Sequence, residues 1–338
     1  MENTLKIDSR HQLFLDNDLV HRTLLVRRVV HQPVRHPGNP VLELDRPWET
    51  ESCSIIPPAS GTVLYDEEEH CFKMWYLAAS GPDRDDLVFC YAVSDDGLSW
   101  EKPNLNRYEW RGSKANNICL AGYRNFPQPM VHKLPEERGG GYLMFFWGRT
   151  PSGFAKGERV GLIRATSTDG IVWEVDPRTN PVWPDIHDLQ CIAYDSDLGK
   201  YVAFQRWTRG ADLSAVPGYP DTLTGEGDQV WPPRPDHSVR MVARVESSDG
   251  LQWERFRWIL EPDLDDPLHI QFYSMQGFPI HGIYVGLLEI FDERRLSLEY
   301  QLTTSRDGLN WSRVGNREPF FPTGAHHAWD CEMVTIRT

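Results

Sequence analysis

The chain has 338 residues, of which 40% are hydrophobic and 12% aromatic, so it can bury a large core and does not belong to the disordered class. Its formal net charge of −14 opposes binding to phosphate backbones, and we therefore expect no nucleic-acid partner. No apolar run approaches about 18 residues, and the polar N-terminus lacks the apolar core of a signal peptide. We therefore expect a cytoplasmic protein without a membrane partner.

The predicted strands fall into similar units along the chain. Two strand candidates, 12–16 and 24–29, come first. Four units of three strand-like segments follow: 62–65, 72–77 and 88–93; 130–133, 142–147 and 160–165; 191–194, 201–205 and 239–245; and 273–278, 284–288 and 298–303. A last candidate covers 329–336. Their β-branched and aromatic residues, bounded by turn residues, are typical of strands.

A motif of the form Ser-x-Asp-Gly-x-x-Trp follows the third strand of each unit. Its four copies begin at Ser94, Ser167, Ser247 and Ser305. Asp-Gly favours a tight turn, because Gly accepts a positive φ and Asp can hydrogen-bond its own backbone. The motif is therefore predicted to join the third strand of a unit to a fourth, outer strand, and we assign it to the scaffold rather than to chemistry.

Four strands per unit predict an all-β fold, a five-bladed β-propeller that forms one domain over residues 1–338. Four blades would end near residues 100, 173, 253 and 311. The fifth blade would combine 326–338 with 10–30. In this arrangement N- and C-terminal strands share one blade, close the ring and leave no open sheet edge.

The segment 207–237 separates the second and third strands of the third unit. It is rich in Pro and Gly, and loops of this length are usually functional or disordered. The segment is interpreted either as a lid or wall over a pocket, as an oligomer contact, or as a plain surface insertion.

Polar residues at the starts of the inner strands are the site candidates, because inner strands that run in one direction bring their starts to one mouth of the channel. The catalytic candidates are four carboxylates: Glu51, Asp188, Asp330 and Glu332. The substrate-binding candidates are Glu49, Asn116, Asn117, Arg149, His187, Gln190, Arg206, Gln271, Tyr273 and His327. Each has a structural alternative, as a turn, a strand-end cap or part of an ion pair.

An acidic, amide-rich ring of this kind suits glycoside cleavage. One carboxyl group protonates the leaving oxygen, and the other acts as nucleophile or activates water. Crowding of carboxylates raises the pKa of one of them, so an acid is available near neutral pH. The adjacent His326 and His327 would point to opposite faces of a strand, so we expect no metal there and no cofactor. A structural Ca²⁺ ion in the acidic channel is kept as an alternative, although no loop has a recognisable pattern of Ca²⁺ ligands.

The repeated blade sequence resembles that of the five-bladed propeller glycosidases of families 32, 43, 68 and 130, and most of all that of uncharacterised bacterial members of the group. The resemblance lies in the strand Met74-Trp75-Tyr76 and the later turn Ser94-Asp95-Asp96-Gly97. By blade position, family 43 would imply acids on blades one, two and three. Glu51 and Asp188 fit, but blade two has only Asn117, so Asp330 or Glu332 would replace the missing acid. The family-32 nucleophile text Trp-Met-Asn-Asp-Pro-Asn-Gly is absent.

The sequence thus predicts a glycoside hydrolase or related glycan-modifying enzyme that acts on a small saccharide or glycoside. Two alternatives stay open, because fold resemblance does not separate them. One is a non-hydrolytic sugar enzyme, such as a phosphorylase, lyase or isomerase. The other is a carbohydrate-binding propeller without catalysis.

Overall fold

The computed structural model describes residues 7–26, 28–50, 60–79, 87–124, 128–188, 190–208, 239–267, 269–328, 330–331, 334 and 336. The chain divides into two compact units. Unit I comprises Arg35–Leu189, Asp249–Trp253 and Ile336–Thr338. Unit II comprises Met1–Val34, Gln190–Ser248 and Glu254–Thr335. No helix in the described ranges has the length and hydropathy needed to cross a membrane.

Unit I contains two four-stranded antiparallel sheets, each with its strands side by side in chain order. Sheet 1 consists of β1 (Gly61–Asp66), β2 (Cys71–Ala79), β3 (Leu87–Ser94) and β4 (Ile118–Tyr123). Sheet 2 consists of β5 (Met130–Lys133), β6 (Tyr142–Arg149), β7 (Val160–Ser167) and β8 (Trp183–Pro184). One helical turn, α1 (Pro47–Thr50), precedes sheet 1, and a 3₁₀ turn at Glu136–Arg138 joins β5 to β6.

Sheets 1 and 2 share one apolar core. Trp75, Leu77 and Phe89 from sheet 1 pack in the same cluster as Met144 and Phe146 from sheet 2, and all five side chains are buried. Burial of a large apolar side chain contributes about 1.5–3 kcal/mol, so this cluster is a main source of stability in unit I.

Unit II also contains two antiparallel sheets. Sheet 3 consists of β9 (Gln190–Asp195), β10 (Lys200–Thr208), β11 (Arg240–Ser247) and β12 (Glu254–Leu260). Sheet 4 consists of β13 (Ile270–Ile280), β14 (Ile283–Asp292), β15 (Ser297–Ser305) and β16 (Trp311–Arg313), with β17 (Pro319–Phe321) paired to β15. Their shared core includes Phe204, Val242, Phe272 and Leu288. Most of the predicted insertion, its residues 209–237, lies outside the described residues.

The repeated Ser-x-Asp-Gly motif forms a self-contained turn. In the first copy, the Ser94 hydroxyl accepts the Gly97 amide N–H at 2.9 Å. Asp96 Oδ1 accepts the amide N–H groups of Leu98 and Ser99 at 2.8 and 2.7 Å. The copies that begin at Ser167 and Ser305 repeat these bonds. The motif is therefore part of the scaffold, as its residue pattern predicts.

The turn glycine of the second copy is held against sheet 1. Trp75 donates its indole N–H to the Gly170 carbonyl at 2.6 Å. A Cβ atom at Gly170 would lie 2.8 Å from the Trp75 ring, whereas one at Gly97 would lie 3.5 Å from the nearest atom, in Phe72. Both glycines have a positive φ, of 75° and 73°.

Gly170→Ala is therefore expected to destabilise the protein more than Gly97→Ala. The strained φ costs about 1–2 kcal/mol at either position. At 170 the clash with Trp75 adds about 1–3 kcal/mol of overpacking. Chemical denaturation of the two variants measures the difference, and equal losses would mean that Trp75 moves aside without cost.

An aspartate–tyrosine bond links the sheets within each unit. Asp66 ends β1, and its carboxylate accepts the hydroxyl of Tyr142, from β6, at 2.9 Å. Asp195 ends β9 in the same way, and it accepts the hydroxyl of Tyr284, from β14. The same residue pair thus ties the first strand of one sheet to the second strand of the next in both units.

The prediction of a fifth blade is wrong for the described part of the chain, which contains four sheets. The described residues of 10–30 and 326–338 lie outside strands. Asn17 to Val20 form a turn, in which the Val20 amide donates to the Asn17 carbonyl at 2.9 Å, and this turn directly follows the predicted strand 12–16. Leu13, Leu15 and Val30 instead pack on the apolar cluster of sheet 4.

Candidate functional site

A cluster of polar and aromatic side chains lies between sheets 3 and 4 of unit II. The guanidinium carbons of Arg206 and Arg240 lie 5.1 and 5.0 Å from the centroid of the Tyr273 ring. Arg240 donates to Gln271 Oε1 at 2.9 Å, and Gln271 Nε2 donates to Glu293 Oε1. We call these five residues the arginine–tyrosine cluster. It brings together three of the predicted site residues: Arg206, Gln271 and Tyr273.

Strand register explains why both arginines face the same ring. Thr208 of β10 lies opposite Arg240 of β11, and Arg206 lies two residues before Thr208. Side chains two positions apart leave the same face of a sheet, so Arg206 and Arg240 project together. The two residues are 7% and 6% exposed, and the Tyr273 ring offers each guanidinium group a cation–π contact.

Sequence reasoning missed Arg240 and Glu293. The available signal for Arg240 was a charged residue at the start of a strand that is buried throughout. Glu293 follows the last residue of β14 and is exposed, and nothing in the local sequence sets it apart from its acidic neighbours. Only the pairing of the strands brings it to Gln271.

Glu49, a predicted substrate-binding residue, is fully buried in unit I. Its Oε2 accepts the amide N–H groups of Asp45 and Arg46 at 3.1 and 2.9 Å, and the Lys102 ammonium at 2.8 Å. Its Oε1 accepts the Tyr76 hydroxyl at 2.5 Å. The bond to the Arg46 amide is the carboxylate half of a capping box for α1, with Pro47 at the first helical position.

Asn117 belongs to the same network, whereas its neighbour Asn116 bonds to other residues. Asn117 Nδ2 donates to the Tyr76 hydroxyl at 2.8 Å, and Asn117 Oδ1 accepts the indole N–H of Trp48 at 2.8 Å. Asn116 Nδ2 donates to the Tyr108 carbonyl at 2.8 Å. The prediction that these asparagines precede the inner strand of a second blade is wrong, because β4 is the fourth strand of sheet 1 and pairs with β3. Their role in binding stays a prediction.

Asp188 and His187 lie after β8 in unit I and are half-buried. The residues that lead to them are fixed, because the Ile186 carbonyl accepts the Trp147 indole N–H at 2.8 Å and Asp185 forms an ion pair with Arg159. Arg149 ends β6 and is half-buried, and its amide donates to the Arg124 carbonyl at 3.1 Å.

Asp330 is buried, at 4% exposure, in the C-terminal segment of unit II. Its backbone carbonyl accepts the Gly324 amide at 2.9 Å, and its carboxylate lies so close to Gly324 that a Cβ there would clash. His327 is exposed, and its ring stacks edge-on against that of His326 with centroids 3.9 Å apart.

Three predicted site residues cannot be placed as side chains. Glu51 and Glu332 lie outside the described residues, and of Gln190 the structure describes only its backbone, at the start of β9 opposite Gln205. Within the described ranges, no group of three or more His, Cys, Asp or Glu side chains could hold a metal ion. The catalytic assignments therefore stay predictions.

Solved structures of other proteins share the fold. No family model and no curated protein sequence matches the chain. A predicted glycoside hydrolase from Parabacteroides distasonis superposes with a TM-score of 0.54 at 12% identity, over 91% of this chain and 88% of that one. A second glycoside hydrolase gives a TM-score of 0.52 at 14% identity, over 82% and 77%. A thermostable family-43 glycoside hydrolase gives 0.50 at 12% identity, over 79% and 74%.

At such identities the similarity concerns the fold alone. The matches with the three proteins nevertheless cover most of this chain. Sheets 1, 2 and 3 each have the four antiparallel strands of a propeller blade, and sheet 4 has such a set with β17 added. The chain therefore has the all-β propeller fold that these three solved structures share.

Proposed function

We propose that the protein is a glycoside hydrolase that cleaves a small saccharide or glycoside by carboxylate acid–base catalysis. The observation that carries this proposal is the arginine–tyrosine cluster of unit II, on a fold shared with glycoside hydrolases. A flat aromatic ring, two guanidinium groups and an amide suit a sugar, which has apolar faces and many hydroxyl groups.

The carboxylates needed for hydrolysis come from a short set of candidates. Asp188 and Asp330 are the described residues of the predicted acid–base set, and Glu293 is a further candidate because it accepts a hydrogen bond from Gln271. One carboxyl group would protonate the glycosidic oxygen, and a second would attack the anomeric carbon or activate water. Such chemistry needs no cofactor.

Phosphorolysis of a glycoside is the second candidate. Two guanidinium groups on one ring also suit a phosphate, which arginine binds through several N–H donors. In that reaction phosphate replaces water as the nucleophile, so the two functions differ in their dependence on added phosphate.

The test is turnover of aryl glycosides (arabinofuranoside, fructofuranoside, xyloside, mannoside and galactoside), with and without inorganic phosphate. For an active substrate, Asp188→Asn and Asp330→Asn are each expected to lower kcat/KM by at least about 100-fold, as for loss of a catalytic acid or base. Glu137→Gln, at an exposed position of the 3₁₀ turn, is the matched control and should leave kcat/KM unchanged.

Each outcome separates the candidates. Turnover without phosphate supports hydrolysis, and turnover only with phosphate supports phosphorolysis. If no glycoside turns over but a sugar still raises Tm, the protein is a carbohydrate-binding propeller, and the proposal of an enzyme is overturned.

A further inference from the structure

Two histidines from distant parts of the chain meet on the surface of unit II. His11 Nδ1 lies 3.3 Å from His281 Nε2, and the two rings are nearly perpendicular, at 76°. Both residues are exposed. His281 and Gly282 form the two-residue turn between β13 and β14, so the pair joins the N-terminal segment to this hairpin.

Further contacts hold the N-terminal segment in this position. A Cβ atom at Gly282 would lie 2.8 Å from the Arg10 guanidinium carbon, so the arginine rests directly on the turn. Arg10 forms ion pairs with Asp8 at 2.7 Å and with Asp197, in the β9–β10 hairpin, at 2.5 Å. The contacts of Arg10, the residue before His11, thus hold His11 beside His281.

The separation of the two nitrogen atoms matches two ligands of one tetrahedral metal ion. With Zn–N bonds of about 2.0–2.1 Å, neighbouring ligands of a tetrahedron lie about 3.3–3.4 Å apart. The corresponding edge in square-planar or octahedral sites is shorter, about 2.8–3.0 Å. The same separation also allows a long N–H···N hydrogen bond, in which the tautomer decides which ring donates.

We propose that His11 Nδ1 and His281 Nε2 form a surface site for Zn²⁺, with water in the remaining positions. Both imidazoles would bind as neutral rings, each with its proton on the other nitrogen. Arg10 and the two carboxylates that pair with it, Asp8 and Asp197, sum to a net charge of −1, which favours a cation. The bound ion would fasten the N-terminal segment to the β13–β14 hairpin. This site is independent of the proposed function.

The experiment is a calorimetric titration of the full chain with ZnCl₂ near neutral pH. His11→Gln and His281→Asn are each expected to remove one Zn²⁺ from the stoichiometry or to weaken its binding at least about tenfold. Asn suits the positive φ of position 281, which is 49°, so this variant keeps the turn. His21→Gln, at an exposed position of the same segment, is the control and should bind as the wild type does.

Two further measurements test the coordination geometry of the metal ion and the attachment of the N-terminal segment. Co²⁺ in place of Zn²⁺ should show the intense visible absorption of a tetrahedral site, and limited proteolysis should cut the N-terminal segment more slowly with Zn²⁺ present. Equal Zn²⁺ stoichiometry and affinity in the wild type and both histidine variants would overturn the proposal, as would an octahedral Co²⁺ spectrum.

Discussion

Asp66→Ala is expected to lower the free energy of unfolding by about 3–5 kcal/mol, the usual cost of removing one partner from a buried ion pair. The Asp66 side chain is 2% exposed. It accepts Lys73 at 2.8 Å, Tyr142 at 2.9 Å and Lys133 at 2.7 Å. Lys73 is itself buried, and its removal from water is offset mainly by this carboxylate. The loss should appear as a lower midpoint in chemical denaturation.

The effect of Asp66 should depend on pH in a defined direction. Burial alone would raise the pKa of Asp66, but the hydrogen bonds from Lys133, Lys73 and Tyr142 outweigh it and hold the pKa far below its ordinary value. The unfolded chain therefore binds more protons at this residue in acid. Its stabilising contribution is complete above about pH 4 and declines as the pH falls further.

The difference in stability between wild type and Asp66→Ala should accordingly shrink in acid. Glu68→Gln is the matched control, because Glu68 also binds Lys133, at 2.8 Å, but is 77% exposed. An exposed pair of this kind contributes at most about 1 kcal/mol. Similar losses for the two variants at neutral pH would show that the Asp66 network is not a strong link between sheets 1 and 2.

Glu49→Gln is expected to destabilise the protein by about 1.5–3 kcal/mol, the range for hydrogen bonds to a charged group. The amide cannot accept four bonds from the Asp45 and Arg46 amides, Lys102 and Tyr76 as the carboxylate does. Burial above all, with the negative charge of Glu49 adding to it, raises the pKa of the Tyr76 hydroxyl well above its ordinary value. That hydroxyl therefore keeps its proton for the bond to Glu49.

This variant also separates the structural role of Glu49 from the predicted role in substrate binding. Asp45→Asn is the control, because Asp45 also binds Lys102, at 2.7 Å, but its side chain is 53% exposed. We expect it to cost at most about 1 kcal/mol. If Glu49→Gln raises KM while the denaturation midpoint stays unchanged, Glu49 contacts substrate and the buried network is not its main role.

Much of the blade structure could be predicted from the sequence, because it depends on short-range chemistry. Asp-Gly turns and alternating apolar residues identify strands wherever they occur, and the predicted segments 72–77, 142–147 and 284–288 lie within β2, β6 and β14. The Ser-Asp-Gly turns close their own hydrogen bonds, so the same residues form the same turn in unit I and unit II.

The remaining features required the tertiary structure. An apolar stretch such as 12–16 suits a paired strand and a segment packed on a sheet equally well, and only the contacts of Leu13 and Leu15 with sheet 4 decide between them. From the sequence, Glu49 is a carboxylate available to bind substrate. In the structure this carboxylate is buried and accepts hydrogen bonds from Tyr76 and Lys102. Arg240 joins the predicted Arg206 and Tyr273 because of strand register, which links residues far apart in the chain. Local turn chemistry is encoded in neighbouring residues, whereas the candidate site depends on which distant strands pair and pack.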